Sequence, residues 1–406
     1  MGRAYAGKHP SSIDRPSMTI IRPDISARAA AAPRSGIGEI VTHARGRENL
    51  MPLWIGEGDL PTPDFITRAA SEALLAGETF YTWTQGIPPL REAIVRYYRR
   101  HYGTSLSTDN IYVTGSGMQS IVLAIQTVAS AGNEIIHLSP AWPNVVNSIG
   151  VAEAKAVPVQ LGFADGRWVL NIERLKAAIT PKTSALFINS PSNPTGWTAT
   201  HEDLKAILEL ARKHGLWIIA DEIYGLYYFE GARAPSFMDV MEPEDRIIFA
   251  NSFSKNWCMT GWRVGWMVAP AEIGQTLTNL IQYSTSGVAQ FMQKGAIAAL
   301  EEGDDFIRSN IERARKSRDI LCDALIATNR VETRKPEGAL YAFLKIDGVT
   351  DSREEAFRIV DKTGVGMAPG TAFGPGGAAF MRACYLRDPL QIEDAASRLS
   401  DYIRRR

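Results

Sequence analysis

SALFINSPSNPTGWTATHEDLKAILELARKHGLWIIADEIYG, residues 184–225, holds two short apolar runs with an amphipathic stretch between them. SALFIN and LWIIA are continuous rather than alternating, as strands covered on both faces are. The stretch over 202–213 reads as a helix. Two buried strands joined by a helix form a βαβ unit, whose strands run parallel. The same rhythm extends in both directions. IYVT, a helix over 117–130, EIIHL, a helix after Pro143, AKAVPV and a helix over 171–179 come before it, and RIIFA follows. The predicted fold is α/β, a mostly parallel sheet sandwiched by helices, and ligands of such sheets bind at the carboxyl ends of the strands.

After about residue 300 the rhythm changes. A long charged helix (304–327), the strand-like ALYAFLKI (339–346), a helix over 352–363, a Gly/Pro-rich loop (364–377), FMRACYL and a closing helix read as a smaller α+β domain. The expected division is a large domain over 50–300 and a small one built from 36–49 and 301–406. Residues 1–35 set Arg and Lys among Ser, Ala and four prolines. The prolines argue against an amphipathic targeting helix, so a flexible arm is expected.

Composition narrows the function. The 406 residues carry 44 Lys+Arg against 44 Asp+Glu, which leaves no basic surplus for nucleic acid or an anionic membrane. Three cysteines, Cys258, Cys322 and Cys384, lie far apart with no Cys/His cluster at metal spacing, which fits a reducing cytoplasmic setting and no metal site. No apolar run approaches the ~20 residues that span a bilayer. Chemistry on small molecules is what remains.

Three segments place polar side chains directly after buried strands. In SPSNPTG (190–196), two prolines bracket Asn193 and hold it in a turn, which is either a simple strand-to-helix connection or a rigid mount for its amide. Asp221 ends LWIIA; a carboxylate buried there needs a cation, from a nearby Arg or from a ligand. In SFSKNWCMTGWRVG (252–265), Ser252, Ser254, Lys255 and Arg263 stand among tryptophans. Lys255 is either a surface lysine or an amine whose pKa is lowered by apolar surroundings and a neighbouring charge, the usual route to an amine nucleophile.

The ordered set YTWTQGIPPLREAI (81–94), VTGSGMQS (113–120), SPAWPN (139–144), SPSNPTG, DEIYG, SFSKNWCMTGWRVG and FMRACYL resembles the fold-type I pyridoxal 5'-phosphate enzymes, specifically the class I/II aminotransferases that include aspartate aminotransferase. The resemblance runs from about Leu53 to Leu386. It implies that Lys255 forms an aldimine with the cofactor and moves the substrate proton, and that Asp221 pairs with the pyridine nitrogen. Tyr224 and Asn193 would hydrogen-bond the ring oxygen, and Trp142 would stack on the ring. The backbone of Gly117 and Met118 at a helix start, with Ser116, Ser252, Ser254 and Arg263, would hold the phosphate. Tyr81 would reach the phosphate of a partner subunit, which implies a homodimer with shared sites. Arg382 would grip the substrate α-carboxylate, with Gly56, Asn193 and Trp142 nearby. The implied reaction moves the amino group of an L-amino acid to a 2-oxo acid.

Other readings compete. A dinucleotide-binding oxidoreductase would need GxGxxG and an acidic residue ending the next strand; the chain has GSGMQS and Ser139-Pro140 there. A transcription regulator would need a basic recognition helix near the start. Elimination at the substrate's β- or γ-carbon, as in a C–S lyase, uses the same groups up to a late step and stays open. Met118 and the Trp83-Thr84 pair offer no cation for a distal carboxylate, which points to an apolar or aromatic substrate side chain lined by Trp83, Met118 and Tyr341.

Overall fold

The computed structural model describes residues 25–30 and 33–406. The expectation for 1–35 therefore falls mostly outside the described residues. The central sheet has seven strands: β1 (Ile111–Thr114), β2 (Glu134–Ser139), β3 (Lys155–Gln160), β4 (Thr183–Asn189), β5 (Trp217–Asp221), β6 (Ile247–Ser252) and β7 (Gly265–Val268). Their spatial order is β1-β7-β6-β5-β4-β2-β3. All neighbours pair parallel except β7, which runs antiparallel to both β1 and β6.

Period-two geometry explains why the strands read as solid apolar runs. Leu186, Ile188, Ile218, Ala220, Ile247 and Phe249 join one core cluster with Leu90 and Ile94, and with Leu204 and Ile207. Their alternates Ala185, Phe187, Ile219, Ile248 and Ala250 join another with Ile121, Leu123, Val145 and Leu277. Both faces of the sheet are thus capped by helices: Pro88–Tyr102, His201–His214 and Gln290–Glu302 on the first, Gly117–Val128, Pro143–Val151 and Gly274–Ser284 on the second. Each fully buried Leu, Ile or Phe contributes about 1.5–3 kcal/mol, so neither face can be uncovered without losing the sheet.

The helix inside the opening stretch has sharp ends. Thr200 accepts from Asp203 N and Asp203 answers to Thr200 N, a capping box, and Gly215 closes the far end in the left-handed region at φ 66°. Both devices are visible in the sequence, and the helix runs one residue beyond 202–213 at each end.

A third core cluster lies apart from the sheet. It gathers Ile40, Leu321, Leu325, Phe343, Ile359, Met381, Ile392 and Leu399. These come from helices Gly36–Ala44, Asp304–Ile326, Ser352–Thr363 and Pro389–Arg405 and from a four-stranded sheet of Val331–Glu332, Tyr341–Ile346, Phe380–Cys384 and Ala368–Pro369. The stretch 364–377, expected as loop, contains two short strands, because Val365–Gly366 pairs with Met51–Pro52 and Ala368–Pro369 pairs with Phe380–Cys384. Backbone pairing across distant segments leaves no periodic trace in so short a run. Among the described residues no helix is long and apolar enough to cross a membrane.

Candidate active site

A cleft of about 460 Å³ opens at the carboxyl ends of β4, β5 and β6 and reaches across to the third core cluster. It brings together Gly56, Gly117, Met118, Trp142, Asn193, Asp221, Tyr224, Ser252, Ser254, Lys255, Arg263, Tyr341 and Arg382. Residues as far apart in the chain as Ser35 and Arg382 line it together.

Asp221 ends β5 and is 5 % exposed. Its only described hydrogen bond to the carboxylate comes from Ile223 N, at 3.3 Å to Oδ1. Among the described residues none forms an ion pair with it. Burial pushes its carboxyl up to about 7, against smaller opposing pulls from the Ile223 amide and the Lys255 charge. A carboxylate left in this condition calls for a cation that arrives from outside the chain.

Lys255 lies in the loop after β6. Its Nζ donates to the Gly56 carbonyl at 2.5 Å. Burial holds the amine below the usual lysine value; the Arg382 and Arg263 charges act the same way, while Cys384 and Glu57 oppose them. The expected apolar neighbourhood is present, since Trp257 and Trp266 are fully buried beneath the loop.

Arg382 presents the opposite problem to Asp221. It is buried on the strand Phe380–Cys384, its guanidinium carbon 4.6 Å from the Tyr341 ring centre and 4.9 Å from that of Phe373. Nη1 donates to Asn193 Oδ1 at 3.0 Å and Nη2 donates to the Trp54 carbonyl, while Nε is buried without a partner. No described carboxylate neutralises it. Rings cover its faces, so an anion can reach only its edge, where two-point binding is possible.

Tyr224 and Tyr341 share a hydrogen bond of 2.7 Å between their hydroxyls, and burial raises the Tyr224 phenol well above its ordinary value. Asn193 is fixed from behind, its backbone N donating to Asn189 Oδ1 at 2.8 Å, with Asn189 Nδ2 donating to the Asp221 carbonyl at 3.0 Å. Asn189 thus ties two expected site residues together, a role no motif announced.

The start of helix Gly117–Val128 faces Ser252 and Gly265 at close quarters. A Cβ on Gly265 would stand 2.6 Å from Gly117 N, and one on Gly117 would stand 3.0 Å from Ser252 Cβ. Only glycines allow this approach, which aims free backbone N–H groups and the positive helix end into the cleft. Ser252 Oγ donates to Ser254 Oγ at 2.8 Å. Arg263 sits beside them with φ 55° and ψ 58°, a left-handed conformation that costs a side-chain-bearing residue about 1–2 kcal/mol.

Two expected residues lie outside the cleft of this chain. Ser116 is not among the residues that line the cleft; its hydroxyl accepts from Gln119 N at 3.0 Å at the helix start, which leaves its own O–H to donate. Trp83 is 64 % exposed and also lies outside the cleft, because the 79–86 segment runs over the surface of this chain. Tyr81 stands on the same surface, 93 % exposed. Ser35, Ile37, Glu57 and Thr260 line the cleft without having been expected there. Glu57 adjoins Gly56 in LWIGEGD and was within reach of motif reading; Ser35 and Ile37 come from a helix start with no chemical signal of its own.

The aminotransferase class I and II family model matches residues 48–399. The chain belongs to that family. An aspartate aminotransferase from Pyrococcus horikoshii is 34 % identical over 378 residues, covering 92 % of this chain and 96 % of the relative. An arginine–pyruvate transaminase from Pseudomonas aeruginosa is 32 % identical, covering 87 % and 90 % respectively. Among solved structures, a single mutant of Thermus thermophilus aspartate aminotransferase superposes with a TM-score of 0.87 at 31 % identity, covering 94 % of this chain and 100 % of that one. This aminotransferase therefore moves amino groups between amino acids and 2-oxo acids, the first of the activities the sequence suggested.

Proposed function

We propose that this aminotransferase binds pyridoxal 5'-phosphate in the cleft, attached to Lys255, and works as a homodimer on amino acids with apolar or aromatic side chains. One observation carries the reading: a buried carboxylate, Asp221, and a buried guanidinium, Arg382, neither paired with an opposite charge among the described residues, face one cleft with a lysine between them in sequence whose pKa burial lowers.

The residues fit the cofactor's chemistry. Asp221 would receive a protonated ring nitrogen, and a cation against it returns its carboxyl to the ionised form. Gly117 and Met118 N–H groups, Ser252, Ser254 and Arg263 would hold the phosphate. Trp142, at the start of helix Pro143–Val151, would cover one ring face, while Tyr224 and the Asn193 amide would meet the ring oxygen. When bound, the cofactor supplies an aldehyde for amines and a ring that accepts electrons from the bond broken at the substrate carbon. The protein does the rest. Arg382 fixes the substrate carboxylate, and Lys255 Nζ takes and returns the proton at that carbon.

The substrate side chain would meet Ile37, Ile55, Met118 and Tyr341, an apolar set. A panel of amino acids mixed with the enzyme, followed by cofactor absorbance in a single turnover, tests cofactor, reaction and substrate together. Conversion of the cofactor to its aminated form with release of a 2-oxo acid is expected; release of ammonia with no acceptor present would favour elimination instead. Arg382→Lys should lower kcat/KM about 10²-fold, mainly through KM for the amino acid, because a single-point ammonium cannot match the planar grip.

The dimer reading rests on the surface around Tyr81, where Leu75, Phe80, Trp83 and Tyr283 are also exposed. Exposed large apolar side chains of this kind are what a second copy would cover. If Tyr81 serves the partner's site, mixing Tyr81→Phe and Lys255→Ala chains should restore part of the activity that each lacks alone, measured as specific activity against the unmixed variants. The proposed setting is the cytoplasm, which suits three free cysteines.

A further inference from the structure

A second, much smaller chamber adjoins the cleft. It measures about 20 Å³, and Glu57, Ser254, Lys255 and Thr260 line both spaces. One water needs roughly 10–15 Å³ and two to four polar partners, and both conditions are met here. Glu57 is a partly buried carboxylate whose described partner is a neutral hydroxyl: Thr260 Oγ1 donates to Oε2 at 2.8 Å. The Lys255 amine is tied to the carbonyl of the residue just before it, Gly56. The other titratable or charged groups acting on that amine are Cys384, Arg382, Arg263, Asp221 and Cys258. Asp221 is taken up by the ring nitrogen in the reading above, which leaves Glu57 as the carboxylate available to the lysine.

We propose that Glu57 is a positioning residue for amino-group transfer: oriented by Thr260, its carboxylate stabilises across the chamber the ammonium state that Lys255 passes through between taking the proton from the substrate carbon and returning it. The proton Nζ accepts is the proton it gives back, and Glu57 neither donates nor accepts it. This rests on the reading of Lys255 as the residue that carries the cofactor. Removing a negative charge beside a nitrogen makes its proton leave at lower pH, which fixes the sign of the effect.

In the holoenzyme, Glu57→Gln keeps the shape and the acceptor for Thr260 but loses the charge. It should lower kcat roughly tenfold with KM little changed, and should move the pH titration of the Lys255-bound cofactor's absorbance down by roughly one unit. Glu57→Asp should recover part of both. A Glu57→Gln enzyme with the parent's kcat and titration, or a change confined to KM, overturns the proposal. Should Glu57→Gln fold poorly, Thr260→Val frees the carboxylate and should move the titration the same way by less; an unmoved titration there overturns the proposal equally. A parent enzyme that shows no Lys255-dependent cofactor absorbance would instead remove the underlying reading.

Discussion

Replacing Lys255 by alanine is expected to lower turnover about 10⁴-fold and to abolish the covalent, borohydride-reducible attachment of pyridoxal 5'-phosphate. The loss is large because no neighbour can stand in. Tyr224 hydrogen-bonds Tyr341 and is held protonated by burial, so it offers no base. Asp221 is reserved for the far side of the ring in this reading, and Glu57 is not a nucleophile for an aldehyde. The measurement is the mass of the protein after borohydride treatment with the cofactor. An adduct that persists in Lys255→Ala at full occupancy would refute the assignment, while a variant that binds cofactor only reversibly, with half-reactions slowed to a crawl, would support it.

The second large effect belongs to Asp221. Asp221→Ala should still accept the cofactor on Lys255, since the amine and the phosphate contacts are untouched, yet lose about 10²–10³-fold in turnover, the scale of removing one well-placed electrostatic partner. The cause lies in the burial that raises its carboxyl to about 7 in the free cleft: the site is dry enough for a charge there to act strongly on a ring nitrogen. Rapid-mixing absorbance would separate attachment from turnover. Near-normal turnover in Asp221→Ala would contradict the electron-sink role, and loss of attachment would place Asp221 in binding rather than in chemistry.

Much of the large domain was legible because its signals are local. Solid apolar runs and the amphipathic stretch over 202–213 each declare themselves within a few residues, and in the small domain the helix over 352–363 is found with those bounds. Helices Asp64–Leu75 and Gln290–Glu302 and the hairpin of Gly162–Ala164 with Arg167–Val169 went unnoted, being short of the strand-helix alternation that guided the reading. For the site, motif order gave Lys255, Asp221, Asn193, Tyr224, Arg263 and Arg382, all of which line one cleft. That Ser116 also caps the helix was not noted, because a hydroxyl at a helix start can accept from the backbone and still donate to a ligand.

The sequence by itself determined the strand pattern, the residue types able to carry the chemistry and their order along the chain, because each follows from nearest-neighbour stereochemistry and from what a side chain can donate or accept. Only the tertiary structure decided which charges are left uncompensated. Asp221 and Arg382 read in isolation as ordinary partners for some ion pair; the fold buries both and pairs neither with an opposite charge among the described residues. Compensation depends on distances across the whole molecule, and those are set by how the central sheet and the third core cluster pack around a cleft rather than by spacing along the chain.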